Sequence, residues 1–140
     1  MTDSTDASRD LIFLCVANAA RSQMAEGLAR SMAPEGVNVY SAGSMPWGVH
    51  PGSIRVMEEI GVDITAHTSK GFDDVPLDRM DTLITLCADE ACPWVPTKGP
   101  QLHWALNDPG GVLGDEQEEL RAFRRTRDEL KHRLSLVFLK

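Results

Sequence analysis

Leu11-Ile12-Phe13-Leu14-Cys15-Val16-Ala17-Asn18-Ala19-Ala20-Arg21-Ser22 is the stretch on which the fold turns. Its apolar run from Leu11 to Val16 ends in a loop of small residues and reads as a buried strand. From Ala20 to Met32 the apolar positions Met24, Leu28 and Met32 recur at the spacing of one helix face. The chain therefore runs from a strand through a tight loop into a helix. Such a loop can curl its backbone N–H groups around a tetrahedral oxyanion, helped by the positive end of the helix dipole. Arg21 can grip two of the anion's oxygens in a bidentate fork. The same positive field favours the thiolate of Cys15, which is the nucleophilic form. Ser22 can donate a hydrogen bond to that thiolate, and Asn18 tolerates the left-handed backbone a tight loop requires. The expected oxyanion cradle is Val16, Ala17, Asn18, Ala19, Ala20, Arg21 and Ser22. The plainer alternative is a buried structural cysteine beside an ordinary surface arginine.

Outward from this stretch the same alternation continues. VNVYSAG, Val37 to Gly43, reads as a second strand closing in a turn. Pro51 sits where a helix can begin; Ile54, Met57 and Ile60 follow at helical spacing, and Gly61 is a C-terminal stop. DTLITLC, Asp81 to Cys87, reads as another buried strand, and QLHWALN, from Gln101, as a last short one before the Asp108-Pro109-Gly110-Gly111 turn. Between them, Pro93, Pro96 and Pro100 argue against a long helix. Asp115 and Glu118 form a capping pair for a terminal helix reaching Val137, with Leu120, Phe123, Leu130, Leu134 and Val137 along one stripe. Strands alternating with helices predict an α/β layer fold around a mostly parallel sheet. Residues 1–10 are expected to form a flexible polar tail, and 11–140 a single domain.

Composition narrows the function. The 140 residues carry 14 Lys+Arg against 21 Asp+Glu, a net charge of −7, which makes a poor general binder of nucleic acid or anionic membrane. No apolar run approaches the roughly 20 residues of a membrane span. MTDSTDASRD at the start has no apolar stretch resembling a signal peptide. Three cysteines cannot all pair within one chain, so a disulfide scaffold is excluded. A cytoplasmic, soluble protein is expected.

Residues 15–27, CVANAARSQMAEG, resemble the active-site loop of the low-molecular-weight tyrosine phosphatase superfamily, and within it most of all that of the arsenate reductases sharing the fold. VYSAG at 39–43, DITAHTS at 63–69, DTLITLC at 81–87, HW at 103–104, NDPGG at 107–111 and RTRDEL at 125–130 have counterparts in the same order. The resemblance implies a three-layer fold, a central four-stranded parallel sheet flanked by helices. It also implies roles for five residues. Cys15 is the nucleophile, Arg21 binds the anion, and Asp108 is the general acid that protonates the departing oxygen. Cys87 then attacks Cys15 and arsenite departs; Cys92 attacks Cys87, and thioredoxin reduces the resulting Cys87–Cys92 disulfide. An Asp capping its own Asp-Pro-Gly turn, and two packed thiols, are the plainer readings of Asp108, Cys87 and Cys92. Cys87 and Cys92 with His103 make a poor zinc frame, so neither metal nor tightly bound cofactor is expected.

The relay carries a geometric condition. In a helix, residues 87 and 92 would be about 7.5 Å apart along the axis, whereas a disulfide needs Cα atoms within roughly 7 Å. The segment must be non-helical or unwind on oxidation. The sequence also departs from the family in three places. Four residues separate Cys87 from Cys92, fewer than in relatives, Ala17 stands where glycine is usual, and Ala20 replaces a second loop cysteine. Some relatives bind potassium through Asn, Glu, Ser and Asp, matched here by Asn18, Glu26, Ser41 and Lys70; a lysine ammonium in the cation's place predicts no potassium dependence, and the plainer reading is a simply solvated lysine.

The leading reading is a monomeric arsenate reductase with weak phosphatase activity, for which phosphate competes with arsenate. Its reductant is thioredoxin, or alternatively a low-molecular-weight thiol through a glutaredoxin-like protein. One rival is a phosphomonoesterase using only Cys15, Arg21 and Asp108; against it, Gly110, Gly111 and Val112 offer no aromatic wall after the Asp-Pro. Another is a thiol sensor with an inactive loop. Trp47, Trp94 and Trp104 are expected to be packing residues, His67 and His103 structural, and Arg124, Arg125, Arg127 and Lys131 a solvated helix face.

Overall fold

The computed structural model describes residues 9–88, 99–111 and 114–138. Among them, β1 (Arg9–Cys15), β2 (Val37–Gly43), β3 (Thr82–Thr85) and β4 (Gln101–His103) form one sheet in the order β2-β1-β3-β4. All three pairings are parallel. The expected four-stranded parallel sheet is therefore present. β1 begins at Arg9, inside the stretch expected to be tail, because its first residues pair with Val37 and Asn38 of β2. Residues 1–8 lie outside the described residues.

Three helices pack together on one face of the sheet: α1 (Arg21–Met32), α2 (Pro51–Glu58) and α3 (Glu116–Val137). Alternation along β1 sends Leu11 and Phe13 to this face, where they join Met24, Leu28, Val56, Met57, Phe123, Leu130 and Leu134 in the main core. Ile12 and Leu14 point the other way, into a smaller cluster with Ala42, Met80 and Leu83. Two short 3-10 helices, Phe72–Asp74 and Leu77–Arg79, lie in the segment that covers this second face.

The helix ends follow their sequence signals. α2 opens on Pro51, and Gly61 just beyond it adopts φ +79°, the left-handed stop. In α3 the Asp115 carboxylate accepts from Glu118 N at 2.9 Å, as the capping pair predicts. Leu120, Phe123, Leu130 and Leu134 are buried, but Val137 is exposed near the helix end. Arg127 is a second correction. It is buried, donating to the Val56 carbonyl at 2.8 Å and to Glu59 at 2.8 Å, because its place in the stripe faces α2 rather than water. Among the described residues no helix is long and apolar enough to cross a membrane.

Candidate active site

The loop after β1 is built from outside inward. Its carbonyls are taken by neighbouring segments: Val16 O by Met45 N at 2.8 Å, Ala17 O by Trp47 N at 3.0 Å, and Ala19 O by His50 N at 2.9 Å. Side chains add to this shell, with Ser53 Oγ donating to Ala19 O and Ser69 Oγ to Ala17 O and Asn18 O. Since a trans peptide points its N–H opposite its C=O, carbonyls held outside turn the N–H groups inward. Asn18 N reaches Cys15 Sγ at 3.2 Å in this way. Asn18 has φ +49°, the left-handed conformation expected of it. Ala17 is not in that region, so its methyl imposes no backbone strain.

The start of α1 is consistent with an anion site. Its N-cap, Ala20, has no side-chain cap, and the first turn carries no acidic residue. The helix N-terminus therefore keeps its unsatisfied donors. α3, by contrast, starts with a capping Asp115 and three glutamates.

Behind the loop lies a buried polar frame. Ser22 Oγ lies 2.9 Å from Cys15 Sγ and accepts from Asn18 Nδ2 at 2.8 Å. A Ser22 hydroxyl and the Asn18 backbone N–H thus both face the one sulfur. Asn18 Nδ2 also donates to Ser41 Oγ at 3.0 Å, and Asn18 Oδ1 accepts from Lys70 N at 2.7 Å and Gln23 Nε2 at 3.0 Å. Ser41 in turn donates to Glu26, whose carboxylate lies 3.4 Å from Lys70 Nζ. Burial pushes Glu26 toward the neutral acid, but the Ser41 hydroxyl and the charges of Lys70, His67 and Arg30 outweigh it and hold its pKa below the ordinary value. Burial pushes His67 down, and its Nδ1 pairs with Gln23 Oε1 at 2.9 Å, the structural role expected of it.

Cys15, Arg21 and Asp108 line one cavity of about 200 Å³, together with Ala17, Ala19, Ala20, Trp47, His50 and Gly110. Arg21 is buried and anchored from behind, donating to Leu106 O at 2.9 Å. Asp108 is exposed at the rim, where its Oδ1 accepts from Gly110 N at 2.9 Å. Asn18 and Ser22 stand behind the cavity rather than on its wall. Among the described residues Cys15 is the free cysteine. Cys87 is buried and disulfide-bonded. Leu86 N donates to Leu14 O at 2.9 Å, so the β1–β3 register carries Leu86 beside Cys15 and Cys87 one position further, on strands spaced about 4.8 Å apart. Cys92 and Trp94 lie outside the described residues.

Two tryptophans separate here. Trp104 is half-buried against the core, with its ring 6.4 Å from Phe13 and Arg133 over its face. Trp47 is 80% exposed at the cavity rim, contrary to the packing role expected. Its segment is held by hydrogen bonds of the Met45 and Trp47 N–H groups to the loop, which direct the backbone and leave the ring outside. Gly43 and His50 are site residues that sequence reasoning missed. A Cβ on Gly43 would lie 2.4 Å from Val16 O and 2.8 Å from Asn18 N, so only glycine lets β2 approach the loop. The Ser-Ala-Gly end of a strand was its signal in the sequence.

Comparison with known proteins agrees with this geometry. The family model described as low molecular weight phosphotyrosine protein phosphatase matches residues 10–139. An arsenate reductase of Halalkalibacterium halodurans is 40% identical over 126 residues, covering 89% of this chain and 91% of that one. A solved arsenate reductase in its phosphate-binding state superposes with a TM-score of 0.78 at 34% identity, over 93% of this chain and 96% of that chain. A thioredoxin-dependent arsenate reductase of Corynebacterium glutamicum gives 0.63 at 30% identity, over 93% of this chain and 63% of that chain. The chain belongs to the low-molecular-weight phosphotyrosine protein phosphatase family, among relatives that are arsenate reductases.

Proposed function

We propose that the protein is a thioredoxin-dependent arsenate reductase. The observation that carries the reading is the cavity in which the free thiol of Cys15, the start of α1, Arg21 and Asp108 meet. Arsenate has the size and charge that the inward N–H groups and a guanidinium bind. The Cys15 thiolate attacks arsenic, and Asp108 protonates the hydroxide that leaves as water. Cys87 then attacks Cys15 Sγ. The electron pair of the S–As bond stays on arsenic, As(V) becomes As(III), and a Cys15–Cys87 disulfide forms. Cys92 attacks Cys87, which frees Cys15 as a thiolate and leaves a Cys87–Cys92 disulfide for thioredoxin to reduce. The register of β1 and β3, the free Cys15 and the bonded Cys87 support this order. A thiol relay of this kind belongs to a reducing compartment, the cytoplasm. The reading takes one copy of one domain, since Cys15, Arg21 and Asp108 of the same chain meet in the cavity.

The test is arsenate-dependent NADPH oxidation with thioredoxin and thioredoxin reductase. Wild type should turn over, and Cys15→Ser and Cys87→Ser should lose activity by at least about 10³-fold, as expected when a nucleophile is removed. Loss in Cys92→Ser establishes the three-cysteine relay; retained turnover means that thioredoxin resolves Cys15–Cys87 directly. Intact turnover in Cys87→Ser would refute the relay and favour the phosphatase reading. Trp47 gives that second reading a specific footing, because it supplies the aromatic rim that Gly110 and its neighbours lack. Hydrolysis of an aryl phosphate that falls in Trp47→Ala would support it.

A further inference from the structure

His50 stands where four parts of the site meet. Its Nδ1 accepts from Gly52 N at 2.9 Å and caps α2. That bond leaves the ring proton on Nε2. The ring packs on Phe123 of α3 with centroids 4.7 Å apart, and Nε2 lies 3.8 Å from Glu119 Oε2. On its other side is the Asp108 turn: a Cβ on Gly110 would sit 3.3 Å from His50 Cδ2, 3.5 Å from His50 Nε2 and 3.4 Å from Asp108 Oδ1. The turn also packs on α3, with Pro109 buried, while Asp108 itself is exposed and bonded to its own Gly110 N–H. The same imidazole lines the cavity with Cys15, Arg21 and Asp108.

We propose that His50 is a positioning residue for Asp108: an imidazole locked by the α2 cap and by Phe123 sets the position of the Asp108–Gly110 turn above Cys15. The inference rests on the reading of Asp108 as general acid. Misplacing such a group by about 1 Å can cost up to 10²-fold in rate without weakening anion binding. His50→Asn isolates the effect, because asparagine is a good N-cap and keeps the acceptor for Gly52 N while removing the ring.

The experiment is a double-mutant cycle on the single-turnover rate of arsenite release from fully reduced protein at saturating arsenate. The variants are His50→Asn, Asp108→Asn and both together, with thermal unfolding measured on each. His50→Asn should lower the rate by about tenfold, with the half-saturating arsenate concentration and the inhibition constant of inorganic phosphate unchanged. Asp108→Asn should lower it by about 10²-fold or more, and adding His50→Asn should then lower it no further. An equal loss in both backgrounds, or no loss in His50→Asn, overturns the inference. An Asp108→Asn protein as fast as wild type overturns the reading beneath it instead. Gly110→Ala approaches from the other side, its methyl meeting the ring. It should slow release when His50 is present and not in His50→Asn; slowing in both would also overturn the proposal.

Discussion

Lys70 places an ammonium group behind the loop, 3.4 Å from a Glu26 carboxylate oxygen and 2.9 Å from the Thr68 carbonyl. Its backbone N–H holds Asn18 Oδ1, so one residue anchors the frame by two atoms. This side chain is mostly covered, with 22% exposed, and is not the simply solvated lysine of the plainer reading. The charge beside Glu26 is covalently attached and needs no ion from solution. Arsenate turnover should therefore be the same in potassium and sodium salts at equal ionic strength, and Lys70→Met should acquire a potassium response. A wild type that rises steeply with potassium alone would refute this.

At the scale of elements, the site depends on how closely β2 meets the loop after β1. The register pairs Cys15 with Gly43, and the missing side chain at 43 makes room for the Val16 carbonyl. Gly43→Ala puts a methyl against backbone rather than a yielding side chain. Overpacking of this kind costs about 1–3 kcal/mol. Thermal unfolding should show that loss, and inorganic phosphate should inhibit the variant less well because the cradle has shifted. Unchanged stability with unchanged inhibition would mean that the loop moves freely. The sequence predicted this strand with its correct bounds, Val37–Gly43, but alternation alone does not reveal which residue meets a loop from another part of the chain.

Across the whole molecule, Glu59 ties α2 to α3. It receives Arg124 at 2.7 Å and Arg127 at 2.8 Å, and these guanidinium groups lower its pKa to about 2, the Arg124 hydrogen bond contributing most. A carboxylate with a depressed folded pKa stabilises the fold fully above its ordinary value of 4.5, and that stability is lost as pH falls toward about 2. Glu59→Gln should destabilise the protein at neutral pH by about 1 kcal/mol, the scale of a partly exposed pair. Its melting temperature should also fall less than that of wild type between pH 4.5 and 2. Parallel curves for the two proteins over that range would show that the pair does not stabilise the fold.

The strand, loop and helix around Cys15, and the position of Arg21, were legible in the sequence because they rest on local signals, whereas Asp108 was tied to the site only by the family resemblance. An apolar run, a four-residue helical spacing and an Asp-Pro-Gly turn each act over a few residues. Cys15, Val37 and Gly61 announce their elements in the same way. The sequence by itself determined an α/β layer fold with a tight loop carrying Cys15 and Arg21 between the first strand and the first helix. Tertiary structure alone decided what surrounds that loop, since contacts between residues tens of positions apart leave no period to read. Arg127 is buried by α2, Trp47 is left outside by its backbone bonds, and His50 is brought against Gly110 by the cap of one helix and an aromatic ring of another. Each depends on the packing of elements, which forms only once the chain has closed on itself.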